Sequence, residues 1–137
     1  MVNAPARECV LDFVSALASV RQSMVTSYPA LKTLSDVIPL VRRGGMDRRG
    51  TSRDGVDYAV HGIGCRMVDQ EGREVDVDFL PDGSEVFDDW RVIRFIESLD
   101  NGLDISREDV LSSCRELARG GVLGEVRTGW FSAVVLQ

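Results

Sequence analysis

His61 and Cys65 are the residues of this sequence whose types and spacing come nearest to a catalytic pair. An imidazole that removed the thiol proton would make the cysteine a nucleophile. However, the surrounding segment alternates as a β-strand does, and four residues along a strand span about 13 Å. That distance is too long for a hydrogen bond between the two side chains. The spacing therefore favours structural roles, with His61 as a hydrogen-bonded core residue and Cys65 as a small buried one.

A group of carboxylates further along the chain could carry acid–base chemistry or bind a hard cation. Asp76 and Asp78 share one face of a predicted strand, because side chains alternate there. The ligand spacing of an EF-hand is absent. We therefore interpret the group as a solvent-exposed acidic face, and we expect that neutralising Asp76 and Asp78 changes stability by no more than about 0.5 kcal/mol. This acidic face comprises Asp76, Asp78, Asp82, Glu85, Asp88 and Asp89, and we expect it to contact a binding partner.

The sequence lacks the residue patterns that metal and cofactor sites need. One histidine and three widely spaced cysteines give no zinc-binding motif. Gly62 and Gly64 form too short a motif for a phosphate-binding loop, and we interpret them as permitting a neighbouring backbone or ring to approach the strand closely, or as permitting a bulge. We predict no catalytic residue, no metal and no cofactor. The cysteines are predicted to be reduced core thiols of a cytoplasmic protein: Cys9, Cys65 and Cys114.

The charges are segregated along the chain, whose formal net charge is −6. Residues 42–53 hold five arginines and one acid, whereas residues 69–89 hold nine acids and one arginine. A nucleic-acid partner is disfavoured, because the basic stretch is short and has no interleaved aromatic residues. The acidic stretch favours a basic protein partner. No apolar run approaches the roughly 20 residues of a membrane helix, and the N-terminus lacks the pattern of a signal peptide, so we expect a cytoplasmic protein without a membrane segment.

A central β-hairpin over about residues 57–80 is the element expected to position these side chains. Its first arm, Tyr58–Val68, is predicted as one continuous strand. Gly72 would close the connection as the left-handed residue of a type I turn with a G1 bulge. The second arm alternates strictly, which puts its apolar residues on one face: Val75, Val77 and Phe79.

The predicted register of this hairpin pairs Cys65 with Val75 and Arg66 with Glu74. It keeps the apolar side chains of both arms on one face and sets opposite charges across from each other. A slip by one residue would turn one arm inside out, so the hydrophobic pattern favours this register.

Two helices are predicted before the hairpin. The first starts near Pro5 and stops near Tyr28, and the second, interrupted by a proline, covers Leu31–Arg43. The arginine- and glycine-rich residues 46–55 have no apolar periodicity and are predicted to be a mobile loop.

Two more helices are predicted after the hairpin. Asp88 is the expected N-cap of the first, whose buried side would include Trp90, and Ser106 is the expected N-cap of the second. The tail is predicted to form a hairpin that turns at Thr128–Gly129. This order of elements predicts one α+β domain over residues 1–137, an antiparallel sheet with helices packed against it.

Three motifs resemble those of a small bacterial domain family of unassigned biochemistry. They are a His-Gly-Ile-Gly-Cys strand at 61–65, an Asp-rich strand at 75–79 and a Phe-Asp-Asp-Trp-Arg helix start at 87–91. The resemblance covers about Leu40–Leu99, and Asp89 stands where relatives are expected to carry proline. It implies structural roles for the motif residues His61, Gly62, Gly64, Cys65 and Trp90.

Members of this family look like the stand-alone proteins that accompany secreted polymorphic toxins. The resemblance therefore implies a cytoplasmic immunity protein. Together with the segregated charge, it leads us to expect that the protein neutralises a cognate basic toxin by occluding it through the acidic face. The alternative is a small hydrolase-like enzyme that uses His61 with Cys65 or with the Asp76 and Asp78 pair. A cleft that holds His61 and a carboxylate within hydrogen-bonding distance would favour the enzyme, whereas a shallow acidic face would favour the binding protein.

Overall fold

The N-terminal helix α1 spans Ala4–Ser27 and supplies one side of the core. Its apolar residues recur at helical spacing, so that one stripe is buried while the other faces solvent. The buried stripe includes Val10, Phe13, Leu17, Val20 and Met24. Phe13 lies at its centre, with its ring centroid 4.8 Å from that of Phe87 and 5.6 Å from that of Phe95. The predicted N-terminal helix is thus confirmed.

This computed structural model describes residues 4–27, 47–61, 64–81, 83–100 and 102–133, without the side chains of residues 25, 47, 48, 60 and 61. The predicted second helix, Leu31–Arg43, lies outside the described residues. Within them the chain forms a single α+β domain, as predicted, with three helices, a five-stranded antiparallel sheet and a separate two-stranded hairpin.

Adjacent strands of the five-stranded sheet follow each other along the chain. They are β1 (Asp47–Thr51), β2 (Asp57–His61), β3 (Gly64–Val68), β4 (Glu74–Phe79) and β5 (Glu85–Val86). Two predictions are wrong at this point. The segment 46–55 is not a loop throughout, because β1 pairs with β2 along its whole length. The first arm of the central hairpin is not one strand, because β2 ends at His61 and β3 begins antiparallel to it at Gly64.

The register between β3 and β4 differs from the prediction by two residues. Cys65 lies opposite Val77, and Arg66 lies opposite Asp76. Because side chains alternate with a period of two, this shift leaves the faces unchanged. The apolar residues of both strands are therefore buried on one side as predicted: Cys65, Met67, Val75, Val77 and Phe79.

The connection between β3 and β4 explains the shift. The Asp69 carboxylate accepts the N–H of Arg73 at 2.9 Å and forms an ion pair with the Arg73 side chain, which holds these two residues opposite each other. The loop is therefore tighter than predicted. Gly72 takes the left-handed conformation, with φ of 80°, and its N–H donates to the Asp69 carbonyl at 3.0 Å. Gly72 is therefore the left-handed residue that closes the connection, as predicted.

Two helices follow the sheet and begin at the predicted caps. They are α2 (Asp89–Ser98) and α3 (Arg107–Arg119). The Asp88 carboxylate accepts the N–H of Arg91, and the Ser106 hydroxyl accepts the N–H of Asp109. Each cap satisfies a backbone donor that has no partner inside its helix.

The C-terminal hairpin is also confirmed. Its strands are β6 (Gly124–Arg127) and β7 (Trp130–Ser132). Backbone hydrogen bonds of 2.9 and 2.8 Å join Phe87 to Phe131 and attach β7 next to the end of β5. Phe131 is thereby buried in the core, with its ring centroid 6.3 Å from that of Phe87.

β5 pairs only with the last two residues of β4 and leaves the rest of that edge of β4 unpaired. Helix α2 lies along this unpaired edge. Side chains of the helix meet the strand in order along this edge. The contacts are Arg91 with Asp78, Arg94 with Asp76, and the Ser98 hydroxyl with the N–H of Glu74. The spacings match because three or four residues of helix and two residues of strand both advance roughly 5–7 Å.

Candidate functional site

Most of the predicted acidic face is engaged with arginines. Every described member of the group forms at least one ion pair. The pairs are Asp76 with Arg66 and Arg94, Asp78 and Asp88 with Arg91, Glu85 with Arg21, and Asp89 with Arg107. Asp82 lies outside the described residues. The arginines come from α1, β3, α2 and α3, so the fold brings them to the acids from separate parts of the chain.

Asp76 contradicts the prediction of solvent exposure, because only 7% of its surface is accessible. Its Oδ2 lies 3.4 Å from Arg66 Nε and 3.2 Å from Arg94 Nη1. The other oxygen, Oδ1, is buried and has no hydrogen-bond partner within the described part of the chain. The two arginine side chains cover the carboxylate, which is why strand alternation alone did not predict its burial.

Glu85 is a second buried acid and also contradicts the prediction. It lies opposite Phe79 in the sheet, and Arg21 of α1 reaches it across the core side. Arg21 Nε donates to both carboxylate oxygens, at 2.9 and 3.1 Å. Only 4% of the Glu85 side chain is exposed, so this charge depends on Arg21, its one cationic partner among the described residues.

Arg91 joins three elements at the start of α2. Its guanidinium donates to Asp88, forms an ion pair with Asp78 on β4 and lies 5.0 Å from the centre of the Trp130 ring on β7. Burial lowers the pKa of Arg91, but the hydrogen bond with Asp88 and the charge of Asp78 outweigh this effect and raise the pKa above its ordinary value. Arg91 is therefore a permanent cation that holds β4, α2 and β7 together.

An open depression of about 150 Å³ lies over these ion pairs. Its lining includes Gly64, Arg66, Asp76, Asp78, Arg91 and Arg94. A Cβ atom at Gly64 would collide with Asp78 Oδ1, so a group does approach closely at this glycine, but it is a carboxylate and not the predicted backbone or ring. The charges around the depression are already paired with one another, so they hold the fold together at this place.

The register separates Cys65 from the position of His61. His61 pairs with Gly64 across the β2–β3 ladder, whereas Cys65 pairs with Val60 and projects into the core, where 2% of it is exposed. Burial raises the pKa of the Cys65 thiol to about 12, and the charges of Asp76 and Glu85 add to the shift. A thiol with this pKa stays protonated at neutral pH and is a poor nucleophile.

All three cysteines are free and buried, as predicted. Burial also raises the pKa of Cys9 and raises that of Cys114 to about 12. We expect the native protein to react slowly with a polar thiol reagent at pH 8, and the unfolded protein to react rapidly at all three positions, because free thiols ionise near pH 8.5. Mass spectrometry of labelled protein over time measures both rates. Rapid labelling of Cys65 in native protein would contradict its burial.

Asp76→Asn is expected to lower the free energy of unfolding by about 2 kcal/mol, because hydrogen bonds to charged groups contribute roughly 1.5–3 kcal/mol. The loss is limited because Arg66 and Arg94 are each half exposed and can turn toward solvent. Asp12→Asn, on the exposed side of α1, is the matched control and should change stability by less than about 0.5 kcal/mol. Urea denaturation measures both variants. Equally small effects would support the original expectation of an exposed Asp76.

Trp90 was predicted on the buried side of α2 but is 51% exposed. Arg107, at the start of α3, stacks over the indole ring with its guanidinium carbon 3.9 Å from the ring centroid. An ion pair of 3.0 Å with Asp89 holds Arg107 there. The α2 residues that face the core instead are Val92, Phe95 and Ile96. Sequence patterns did not reveal this surface, because the stack joins the starts of two different helices.

The described ranges also bear on two other kinds of site, metal centres and membrane-spanning helices. No group of three or more His, Cys, Asp or Glu side chains in them is arranged to hold a metal ion. None of their helices combines the length and the apolar character that crossing a membrane requires.

Comparison with known proteins places the chain in a family. No curated protein and no solved structure matches it significantly. One family model matches residues 6–132, which extends well beyond Leu40–Leu99, the range of the motif resemblance. The matched span includes nearly all of α1, the whole five-stranded sheet, both later helices and the C-terminal hairpin. The chain therefore belongs to the family described as a domain of unknown function, DUF6896.

Proposed function

We propose that the protein is a cytoplasmic immunity protein, which binds a cognate bacterial toxin and neutralises it by occlusion without catalysis. The observation that carries this proposal is the use of the candidate chemical groups in structural contacts. Asp76 and Asp78 are paired with arginines, and the Cys65 thiol is buried with a pKa of about 12. The two ion pairs join β4 to α2, and the thiol lies in the core, which supports a binding role over a hydrolytic one.

The choice of an immunity protein among binding proteins rests on the motif resemblance at residues 61–91, whose relatives look like companions of secreted toxins. The net charge of −6 supports a basic toxin, such as one that acts on nucleic acid, because opposite net charges speed association. The buried members of the acidic group, Asp76 and Glu85, are not available to such a partner. The contact surface in this proposal therefore does not use Asp76 or Glu85.

The proposal predicts that the adjacent reading frame encodes a toxin domain, and titration of that domain tests it. The purified protein is added in steps to a fixed amount of toxin domain, and the remaining toxin activity is measured. Occlusion predicts a linear fall that ends at equal molar amounts, and recovery of active toxin when the complex is separated under denaturing conditions and the toxin is refolded. Neutralisation by far less than one equivalent would mean turnover, and would support the enzyme alternative.

Two variants sharpen this test. Cys65→Ala and His61→Ala are both expected to protect cells against the toxin as well as the unchanged protein does, since neither residue has a chemical role in occlusion. Circular dichroism and thermal melting check that the variants fold. A folded Cys65→Ala or His61→Ala protein that had lost protection would contradict the proposal and would indicate nucleophilic or acid–base chemistry at that residue.

A further inference from the structure

We infer that the toxin-binding surface is centred on the stack of Trp90 and Arg107, and that it fits a basic protein surface with an apolar recess for the indole. This inference rests on the proposed immunity function and adds where the partner binds and what chemistry it presents. Two independent features of the region carry it. One is an exposed aromatic side chain held in a fixed position, and the other is a concentration of acids that pair with no arginine in the described structure.

The first feature is the preorganised anchor. Trp90 is half exposed, yet Arg107 covers one face of its ring and is itself held by Asp89, the residue before Trp90. An anchor that is already ordered loses little conformational freedom when a partner binds. Tryptophan and arginine are enriched among the residues that carry most of the binding energy of interfaces. Leu103, also exposed, adds apolar surface in the segment that connects α2 to α3.

The second feature is the charge of that same connection. Residues 97–109 contain five acids and one arginine, and this arginine, Arg107, is already paired with Asp89. Four of the acids are exposed and form no ion pair with any described residue: Glu97, Asp100, Asp104 and Glu108. The acids of residues 76–89 are different, because every one of them that the structure describes forms an ion pair with an arginine. The exposed acids lie in the same stretch of chain as Arg107, the residue that stacks on Trp90, and a surface with an exposed indole and several acids is complementary to a basic partner surface.

A second copy of this chain is a poor occupant of the surface. Two copies facing each other through it would bring the exposed acids of both molecules together, and like charges at an interface oppose association. Sedimentation of the unbound protein tests this point. A dimer that dissociates when Trp90 is changed to Ala would overturn the inference, because the surface would then serve self-association.

Binding kinetics with the toxin domain of the adjacent reading frame test the anchor. Trp90→Ala is expected to weaken the complex about 100-fold, mostly through faster dissociation. Val122→Ala removes an exposed apolar side chain between α3 and β6 and is the matched control, with an expected change of less than about twofold. Thermal melting verifies that both variants fold. Amide hydrogen exchange of the unchanged protein gives an answer without mutation, since toxin should protect residues 89–91 and 102–107.

Association rates at two ionic strengths test the charge. Asp100→Asn/Asp104→Asn is expected to slow association about threefold to tenfold at low salt, and to lose this effect at high salt. Asparagine suits position 100, where φ is 49°. Glu8→Gln/Asp12→Asn removes two exposed acids from α1 and is the control with the same change in charge. Equal slowing by both double variants would mean that only net charge matters, and would overturn the assignment of the acids to this surface.

The outcomes separate this inference from the function on which it rests. Tight, stoichiometric binding that Trp90→Ala leaves unchanged would overturn the surface and leave the immunity function standing. Failure of the unchanged protein to bind the toxin domain would overturn both. Weakened binding by Trp90→Ala, with Val122→Ala unaffected and protection at residues 89–91, supports both.

Discussion

Cys65→Asp is expected to prevent folding, or to lower the melting midpoint by roughly 15 °C, as a loss of about 4 kcal/mol would do in a domain of this size. The Cys65 side chain lies in the core, and Cys65 is opposite Val77 in the sheet. That site already disfavours a negative charge, because burial together with Asp76 and Glu85 raises the pKa of the thiol to about 12. A carboxylate placed there would lose its hydration without gaining a cation.

Cys65→Ala is the control for this prediction, because it keeps the site apolar and removes only one sulfur atom. It should cost about 1–2 kcal/mol and leave a folded protein. Thermal melting followed by circular dichroism compares the two variants with the unchanged protein. A Cys65→Asp protein that melted within a few degrees of Cys65→Ala would mean that water or an arginine reaches this position, contrary to the packing of the sheet.

Arg21→Met is expected to lower the free energy of unfolding by about 3–5 kcal/mol, the usual effect of removing one partner from a buried ion pair. Arg21 Nε donates to both oxygens of Glu85, whose side chain is 4% exposed. Methionine preserves much of the length and apolar contact of the arginine stem. The loss therefore arises chiefly from the Glu85 charge, which would remain buried without a cation.

Arg21→Met combined with Glu85→Met distinguishes this explanation from a simple loss of packing. Replacing both members of a buried ion pair with apolar residues of similar volume is often neutral or stabilising. The double variant should therefore recover most of the stability lost by Arg21→Met, and urea denaturation of the full mutant cycle measures the coupling. A double variant less stable than Arg21→Met alone would contradict the account, because the charge would then not be the source of the loss.

The parts of the fold that follow from short-range signals could be predicted from the sequence. Asp88 and Ser106 cap their helices as expected, because an N-cap depends on residues two or three positions away. Gly72 adopts the left-handed conformation that its turn requires. Alternation in β4 identified the buried face of the sheet for the same reason, since it depends only on neighbouring residues.

The parts that were missed depend on contacts between distant segments. β1 contains arginines and a glycine, and its pairing with β2 uses backbone groups that leave no apolar pattern. The break between His61 and Gly64 interrupts a run in which apolar residues still alternate, so it resembled one strand. The candidate site depends on contacts between distant segments in the same way. The acids are where the sequence suggested, but the arginines that cover them come from other elements, so the exposed surface lies at Trp90 instead.

The position of α2 along β4 also bears on aggregation. β4 alternates valines with acids, and beyond the two residues that pair with β5 its outer edge is closed by α2, where the Glu74 N–H donates to the Ser98 hydroxyl. An uncovered strand edge of this kind is a template for pairing with another chain. A state in which α2 has detached would expose that edge. The ion pairs of Arg91 and Arg94 hold α2 against β4. They therefore also protect the edge of β4 from pairing with a strand of another protein molecule.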